Sequence, residues 1–395
     1  MPDDTDDALS RLFDQLTGDP DRVSRDRVPG ESLHVDDPGE LIAAVPAMVG
    51  FVPERSLVVA VLRESGDPRQ APVIDAVLRL DLDIDDSHPG RADAYADAVA
   101  TICATENATM VLAVIVDDRM SEPHDTQPPT GSDIGPWGRL IAAFTSCLAE
   151  EDIVVAGAWA VRALEPGQRW WDLLGPNSRG TLPDPATSMV TLAHVLHGRP
   201  IRSTRSELIE LLTPNTELTT QVAADLDDAL RQAHDRYAEA ERRGDPGSYH
   251  RQMLEWVLWR VADTDSGIAL TAGQYAELAA ALRDRMVRDS LFALAVGEHA
   301  ATAERLWLAS ARALSGCDRA DAATLLAYSA YIRGDGPLAG IALQAALHAD
   351  PTHSMTILLE TCLRSGIRPQ TVRRLAHTGR GIAADLGVDL GPIPH

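Results

Sequence analysis

The chain has 395 residues, and its 35 basic and 59 acidic side chains give it a net charge of −24. Every basic residue is an arginine, because the sequence contains no lysine. A chain without lysine has neither the Walker A lysine of a phosphate-binding loop nor an amine for Schiff-base catalysis. The strong negative charge argues against binding to nucleic acid or to an anionic membrane. We therefore expect a protein that binds neither nucleic acid nor membranes.

The cysteines and the first residues indicate the compartment. Four cysteines lie far apart in apolar stretches, which predicts buried thiols in a reducing environment and no metal site: Cys103, Cys147, Cys317 and Cys362. The acidic start of the chain is unlike a signal peptide. No apolar run approaches the roughly 20 residues of a membrane span. We expect a cytoplasmic protein that needs no cofactor.

The first half of the chain has the pattern of an α/β domain over residues 33–186, preceded by a flexible arm at 1–32. Asp37 followed by Pro38 and Glu40 predicts a helix start with a capping box, and Gly50 predicts its end. Further elements are predicted in the order strand 56–62, strand 73–84, helix 90–106, strand 110–116, helix 140–148 and strand 153–164. The first two strands form a hairpin, and the alternating 73–84 segment is typical of a sheet edge. This order predicts a mixed sheet.

The second half predicts only helices, and we assign residues 187–380 to a helical domain and 381–395 to a C-terminal tail. Helices are predicted at 187–197, 204–212, 216–243, 248–262, 272–284, 287–296, 299–314, 321–333, 337–349, 353–364 and 370–378. If Pro351 closes a repeat unit, Leu326, Ala339 and Leu343 occupy positions of the tetratricopeptide pattern. The neighbouring segments do not match, so we predict one tetratricopeptide-like helical hairpin rather than an array.

Several segments together resemble a family of uncharacterised, mainly actinobacterial proteins, the domain of unknown function 4192. The segments that carry the resemblance are Glu40–Pro46, Gly50–Val59, Arg169–Trp171, Val287–Asp289 and Thr324–Pro351. They span roughly residues 33–370 in the order that the family has. The resemblance implies a shared fold and no known activity. Members often carry cysteines after the tryptophan pair, whereas residues 172–185 of this chain contain none, so no metal or redox role transfers to that loop.

Three groups of polar residues are candidates for a site. Asp117 and Asp118 follow a buried strand, where open sheets bind ligands, and they either hold a divalent cation or form a solvated strand exit. The turn that ends in Glu54, Arg55 and Ser56 either presents polar groups or only fixes the backbone. The third group lies after the last predicted strand and consists of Arg169, Trp170 and Trp171.

The third group has two interpretations. The two indoles and the guanidinium either clamp a planar ligand by stacking and cation–π contact, or fill the junction between the two halves. Two further patterns are most simply structural. The first is a run of acidic residues that we expect to protect a strand edge rather than bind a cation: Asp81, Asp83, Asp85 and Asp86. The second is the pair His194 and His197, which lacks a third metal ligand. We predict no metal site.

Two functions follow from these patterns. The first is a non-catalytic protein that binds a partner protein or a small ligand with an α/β module and a helical stack. The second is a metal-assisted hydrolase or transferase in which Asp117, Asp118 and Glu54 supply the carboxylates. The missing nucleophile and nucleotide motifs favour the first.

Overall fold

A computed structural model describes residues 37–63, 73–84, 90–105, 108–122, 136–174, 178–188, 191 and 205–391. The chain forms two compact units, and the boundary between them falls between Glu207 and Leu208. The first unit contains a sheet with helices, and the second is helical, which confirms the predicted fold class. Four predictions lie outside the described residues: the arm at 1–32, Asp85 with Asp86, the helix over 187–197 beyond its first residues, and the pair His194 and His197.

The described strands of the first unit form one six-stranded mixed sheet. The strands are β1 Ser56–Arg63, β2 Val73–Asp81, β3 Met110–Val116, β4 Val154–Val161, β5 Arg169–Asp172 and β6 Arg179–Thr181. Their order is β2-β1-β3-β4-β5-β6, and only β3 and β4 run parallel. The predicted hairpin of β1 and β2 and the edge position of β2 are confirmed.

Three helices cover the two faces of this sheet: α1 Pro38–Val49, α2 Gly90–Thr105 and α3 Pro136–Glu150. Because side chains alternate along a strand, each strand contributes to both faces. Leu57 and Ile115 belong to a buried cluster that includes Val99 of α2 and Phe144 of α3. On the opposite face, Leu41 and Val45 of α1 line a narrow apolar cleft with Val58, Ala60 and Val114 of the sheet. The sheet is therefore covered on both sides, as the apolar runs of β1 and β3 predict.

The prediction of no strand after residue 164 and of a loop over 172–185 was wrong, because the tryptophan pair lies in β5 and the following segment contains β6. Both strands are short, four and three residues, and glycines and prolines surround them. Trp170 pairs with Gly180 across the two strands. A Cβ atom on Gly180 would lie 2.8 Å from the indole ring of Trp170. The glycine thus leaves the space that this indole occupies, which the strand patterns of isolated segments do not reveal.

The helical unit follows the predicted order closely. The first helix, α4 Arg205–Leu211, contains the boundary between the units. The elements that follow are α5 Thr216–Arg242, α6 Pro246–Asp265, α7 Ala272–Leu282, α8 Arg285–Leu291, a 3-10 turn Phe292–Ala295, α9 Ala300–Ala313, α10 Gly316–Ile332, α11 Gly336–Ala349, α12 Ser354–Arg364, α13 Pro369–Val372 and α14 Arg374–Asp385. The central helix α10 is buried along almost its whole length. None of the described helices is both long and apolar enough to cross a membrane.

The end of the last helix and the burial of the cysteines differ from the sequence predictions. Helix α14 continues to Asp385, and Leu386 and Val388 after it are buried, so packed structure reaches into the predicted tail. Cys103 and Cys362 are buried as predicted, whereas the prediction of burial was wrong for Cys147, which is half-buried, and for Cys317, which is exposed. Helices α10 and α11 form a tight hairpin through Gly334, while its likeness to a tetratricopeptide unit stays a prediction.

Candidate functional site

One end of the sheet collects most of the predicted site residues. Strands β3 and β4 are parallel and both end there, and β1 begins there because it runs antiparallel to β3. Ser56 at the start of β1 consequently pairs with Val116 at the end of β3 and with Asp81 at the end of β2. We call this end the carboxyl end of the sheet. It comprises the segments Glu54–Ser56, Asp81–Asp83, Asp117–Glu122 and Arg162–Arg169.

Asp117 is a fully buried carboxylate that four donors surround. The guanidinium of Arg119 donates from Nε to Oδ1 at 2.9 Å and from Nη2 to Oδ2 at 2.7 Å. The main-chain N–H of Arg119 donates to Oδ1 at 3.0 Å, and the indole Nε1 of Trp137 donates to Oδ2 at 3.1 Å. Each carboxylate oxygen therefore accepts two hydrogen bonds. This saturated carboxylate has a structural role and is poorly suited to bind a metal ion or accept a proton.

The protonation of Asp117 follows from the same contacts. Burial raises its pKa, but the hydrogen bonds from Arg119 and Trp137 lower it by more, so the pKa lies below the ordinary value. Asp117 is therefore ionised at neutral pH. The guanidinium carbon of Arg119 also lies 5.7 Å from the ring centroid of Trp137 in the first turn of α3. Together these contacts tie the end of β3 to the start of α3.

Arg55 and Asp118 form an exposed ion pair at the centre of the carboxyl end. The Nε of Arg55 lies 2.9 Å from Oδ1 of Asp118, and its Nη2 lies 3.4 Å from Oδ2. This hydrogen bond lowers the pKa of Asp118. Arg55 has a φ of 42°, a left-handed conformation that is costly for a residue with a side chain. Its carbonyl accepts a hydrogen bond from the main-chain N–H of Leu82 at 2.6 Å, which helps to hold the strained turn in place.

The predicted candidate Ser56 is buried, and its hydroxyl is already engaged. It donates to the carbonyl oxygen of Glu54 at 2.6 Å and accepts from Nε and Nη2 of Arg79 at 3.1 and 2.9 Å. Such a hydroxyl holds the turn and is not placed to attack a substrate. The Glu54 side chain, by contrast, is exposed beside the turn.

Arg162 also lies at the carboxyl end of the sheet, and it was not among the residues predicted for a site. Its guanidinium donates from Nε at 3.2 Å and from Nη2 at 2.8 Å to the main-chain oxygen of Asp118. The next strand begins with the predicted candidate Arg169, whose Nη2 lies 3.1 Å from Oε1 of Glu122. Arg162 directly follows Val161, the last residue of the observed strand β4. The sequence predicted a strand over 153–164, which places Arg162 inside the strand, because Ala163 and Leu164 continue the apolar pattern.

The two predicted tryptophans lie on opposite faces of the sheet. Trp171 belongs to the buried cluster under α2 and α3. Trp170 points to the other face, and its Nε1 lies 3.1 Å from the Cβ position of Gly39 in α1. Both side chains are buried, with 6% and 4% exposure for Trp170 and Trp171. Neighbouring residues of a strand alternate in direction, so this pair does not form a clamp around one ligand.

Two further acidic residues of the carboxyl end also pair with arginines. Asp81 contacts Arg79 and Arg205, and Asp83 contacts Arg91. Within the described ranges, no three histidine, cysteine or acidic side chains come close enough together to hold a metal ion. Of the three carboxylates that the hydrolase hypothesis uses, Asp117 and Asp118 are thus engaged with guanidinium groups, whereas Glu54 is exposed.

Comparison with known proteins gives one result. Nothing among curated proteins and nothing among solved structures matches this chain. The model of one protein family, described as a domain of unknown function (DUF4192), matches residues 38–370. This range contains every strand of the sheet and most of the helical unit. The chain therefore belongs to the DUF4192 family, as its sequence motifs predict.

Proposed function

We propose that the protein is a non-catalytic binding protein whose ligand site is the carboxyl end of the sheet. The observation that carries this proposal is the convergence of Arg55, Asp118, Arg162 and Arg169, which are distant in sequence, at one end of the sheet. Open α/β sheets commonly bind ligands outside the carboxyl ends of their strands. Strands place these side chains on a rigid support, which reduces the entropy lost on binding.

Binding is favoured over catalysis because the reactive groups at this end are engaged. Ser56 is buried with its hydroxyl bonded on both sides, and Asp117 accepts four hydrogen bonds. A metal-assisted hydrolase or transferase needs Asp117 and Asp118 as metal ligands, but both carboxylates already form ion pairs with arginines. The exposed groups include the guanidinium donors Arg162 and Arg169, which can bind and orient a ligand without forming a covalent intermediate.

A thermal-shift screen tests the proposal. The wild-type protein and an Arg55→Ala/Arg162→Ala variant are heated with a panel of metabolites, and an Arg231→Ala variant serves as the control. Arg231 lies on α5 in the other unit, in an exposed pair with Asp228. A ligand at 100 times its dissociation constant stabilises a protein by about 2.7 kcal/mol. We expect at least one metabolite to stabilise the wild type and the control but not the double variant.

The same screen separates binding from catalysis. Each metabolite that stabilises the protein is incubated with it and then analysed by mass spectrometry. A binding protein returns the metabolite unchanged. Conversion of the metabolite, or a stabilisation that persists without Arg55 and Arg162, would contradict the proposal.

A protein partner for the helical unit is a second candidate. The observation that favours it is Trp259 on α6, whose side chain is 68% exposed. Exposed tryptophans are enriched at protein interfaces, where they often dominate the binding energy. If a partner binds there, Trp259→Ala abolishes its capture from a lysate without changing ligand binding at the sheet. Capture that is equally strong with Trp259→Ala would reject this surface.

The cellular location, the excluded partners and the origin of the protein are also proposals. A cytoplasmic location is supported by four cysteines that are all free thiols. The net charge of −24 disfavours nucleic acid and anionic membranes as partners. An actinobacterial origin is supported by the absence of lysine, which is typical of a GC-rich genome.

A further inference from the structure

Two guanidinium groups meet at Asp118, and each uses a different part of that residue. Arg55 binds the carboxylate in a forked arrangement, with atoms 2.9 and 3.4 Å apart. Arg162 binds the main-chain oxygen of the same residue at 3.2 and 2.8 Å. Both guanidinium groups are therefore held against the same residue, which directly follows β3.

Arg162 is the more informative of the two. A guanidinium has five N–H donors, and the hydrogen bonds of Arg162 go to a single neutral carbonyl. Three of its N–H groups stay available, and its side chain is exposed. In the described part of the chain, no carboxylate forms an ion pair with Arg162. Its main-chain contact fixes the position of the guanidinium and leaves the charge unbalanced.

At Asp118 itself, two guanidinium groups contact a residue that has one carboxylate. That carboxylate is paired with Arg55, which leaves the charge of Arg162 without a carboxylate partner among the described residues. Beyond it, Arg169 lies 3.1 Å from the carboxylate of Glu122. The chain as a whole carries a charge of −24. An acidic protein that keeps a small group of arginines together at a strand end favours a small anion there, because an extended polyanion would meet the negative charge around it.

The shape of the anion follows from the donors. Arg55 contacts the carboxylate of Asp118 and Arg162 contacts its main-chain oxygen, so a ligand that binds both guanidinium groups needs several oxygens. A phosphate group has three terminal oxygens and up to two negative charges, and guanidinium forks bind it in a bidentate manner. A carboxylate has two coplanar oxygens, and Asp118 already supplies one such group to Arg55.

We propose that the carboxyl end of the sheet binds the phosphate group of a small phosphorylated ligand through Arg55 and Arg162, with Arg169 as an outer contact. This inference rests on the proposed function and names its ligand class. Asp118 competes with the phosphate for Arg55. Both members of that pair are more than half exposed, so the pair is readily exchanged for a stronger anion.

The experiment measures the binding of inorganic phosphate by calorimetry at constant ionic strength, with chloride as the balancing salt. Three variants are compared with the wild type: Arg162→Gln, Asp118→Asn and the control Arg231→Gln. Arg162→Gln removes a charge-assisted contact and weakens phosphate binding by about tenfold or more. Asp118→Asn removes the competing carboxylate and strengthens binding. The control makes the same charge change as Arg162→Gln on a different unit and leaves binding unchanged.

Circular dichroism of each variant without phosphate verifies that it is folded. Equal phosphate affinity in the wild type and Arg162→Gln, or weaker binding by Asp118→Asn, would overturn the phosphate assignment. The metabolite screen then separates the two proposals. If phosphate does not bind but another class of ligand requires Arg55 and Arg162, the ligand class is wrong and the site stands. If no ligand depends on these arginines, both proposals fail.

Discussion

Asp117 shows how one buried residue organises the candidate site. Its carboxylate accepts hydrogen bonds from Arg119 and Trp137 and joins β3 to α3. We predict that Asp117→Asn lowers the free energy of unfolding by about 2–3 kcal/mol, because it removes the charge of a fully buried carboxylate that is paired with Arg119. Urea denaturation measures this loss. The matched control is Asp228→Asn, which removes an exposed partner of Arg231 and changes stability by less than about 0.5 kcal/mol. Equal effects of the two changes would contradict a structural role of Asp117.

The same residue predicts a pH dependence. The pKa of Asp117 in the folded protein lies below its value in the unfolded chain. Its contribution to stability is therefore complete above the ordinary aspartate pKa of about 3.9, and it is lost as the pH falls through the lower folded value. Urea denaturation from neutral pH down to about pH 3 measures the loss. We expect the difference between the wild type and Asp117→Asn to shrink at the acidic end. A difference that is constant with pH would contradict the ionised state of Asp117.

The sequence identified site residues that directly follow a predicted strand. It did not identify contacts between residues that come together only when two strands pair in the sheet. Asp117 and Asp118 could be found because they end the apolar run of β3. The contact between Arg55 and Asp118 joins positions 63 residues apart. It depends on β1 and β3 being neighbours, and no local pattern contains that information. Arg162 was missed because the predicted strand continued to residue 164, whereas β4 ends at Val161.

At the level of elements, helix α14 approaches α8 and the 3-10 turn after it at Gly379. A Cβ atom at this position would lie 2.5 Å from the main-chain oxygen of Asp289. We predict that Gly379→Ala destabilises the protein by about 1–3 kcal/mol, because backbone atoms must move apart. Gly381 lies in the same helix with open space around its Cβ position. Gly381→Ala is expected to stabilise by up to about 1 kcal/mol, since alanine favours helix. Thermal unfolding compares them, and a destabilising Gly381→Ala would contradict the packing of α14.

A polar network joins α10 to α12 inside the helical unit. His353 lies 3.0 Å from Asp321 through Nε2 and 2.6 Å from the hydroxyl of Thr356 through Nδ1. Thr356 also lies 2.6 Å from the hydroxyl of Thr324. We predict that Thr356→Val costs about 1–2 kcal/mol through lost hydrogen bonds at nearly constant shape. Thr361→Val in the same helix is the control, because Thr361 is exposed and bonds only within its helix in the described contacts. Equal unfolding midpoints in urea for these two variants would contradict the network.

Elements were predictable where a long apolar pattern or a clear cap defines them. Strand β3 was predicted at its observed bounds, and the ends of α1 follow from Asp37 and Gly50. Strands β5 and β6 were missed because their pairing partners, not their own sequences, make them strands. Trp170 acts as a strand residue because Gly180 opposite it leaves space for the indole ring. Such complementarity between two segments appears only when the segments are placed side by side.

The chain as a whole is acidic, and the carboxyl end of its sheet brings together acidic side chains and arginines that are distant in sequence. The division into an α/β unit and a helical unit was predictable, because strand signals are confined to the first half. The meeting of Arg55 and Arg162 at Asp118 was not predictable, since these residues flank β1 and β4 and come together only when the strands pair. A net charge of −24 therefore describes the average of the chain and does not indicate which charged groups lie side by side.

A crystal structure of the protein grown with a small phosphomonoester tests the central claim most directly. We predict a phosphate group within hydrogen-bonding distance, about 2.7–3.1 Å, of the guanidinium groups of both Arg55 and Arg162. The side chain of Asp118 is expected to turn away from Arg55. A structure in which Arg162 pairs with a carboxylate of the protein itself, while the phosphomonoester binds elsewhere, would contradict the account.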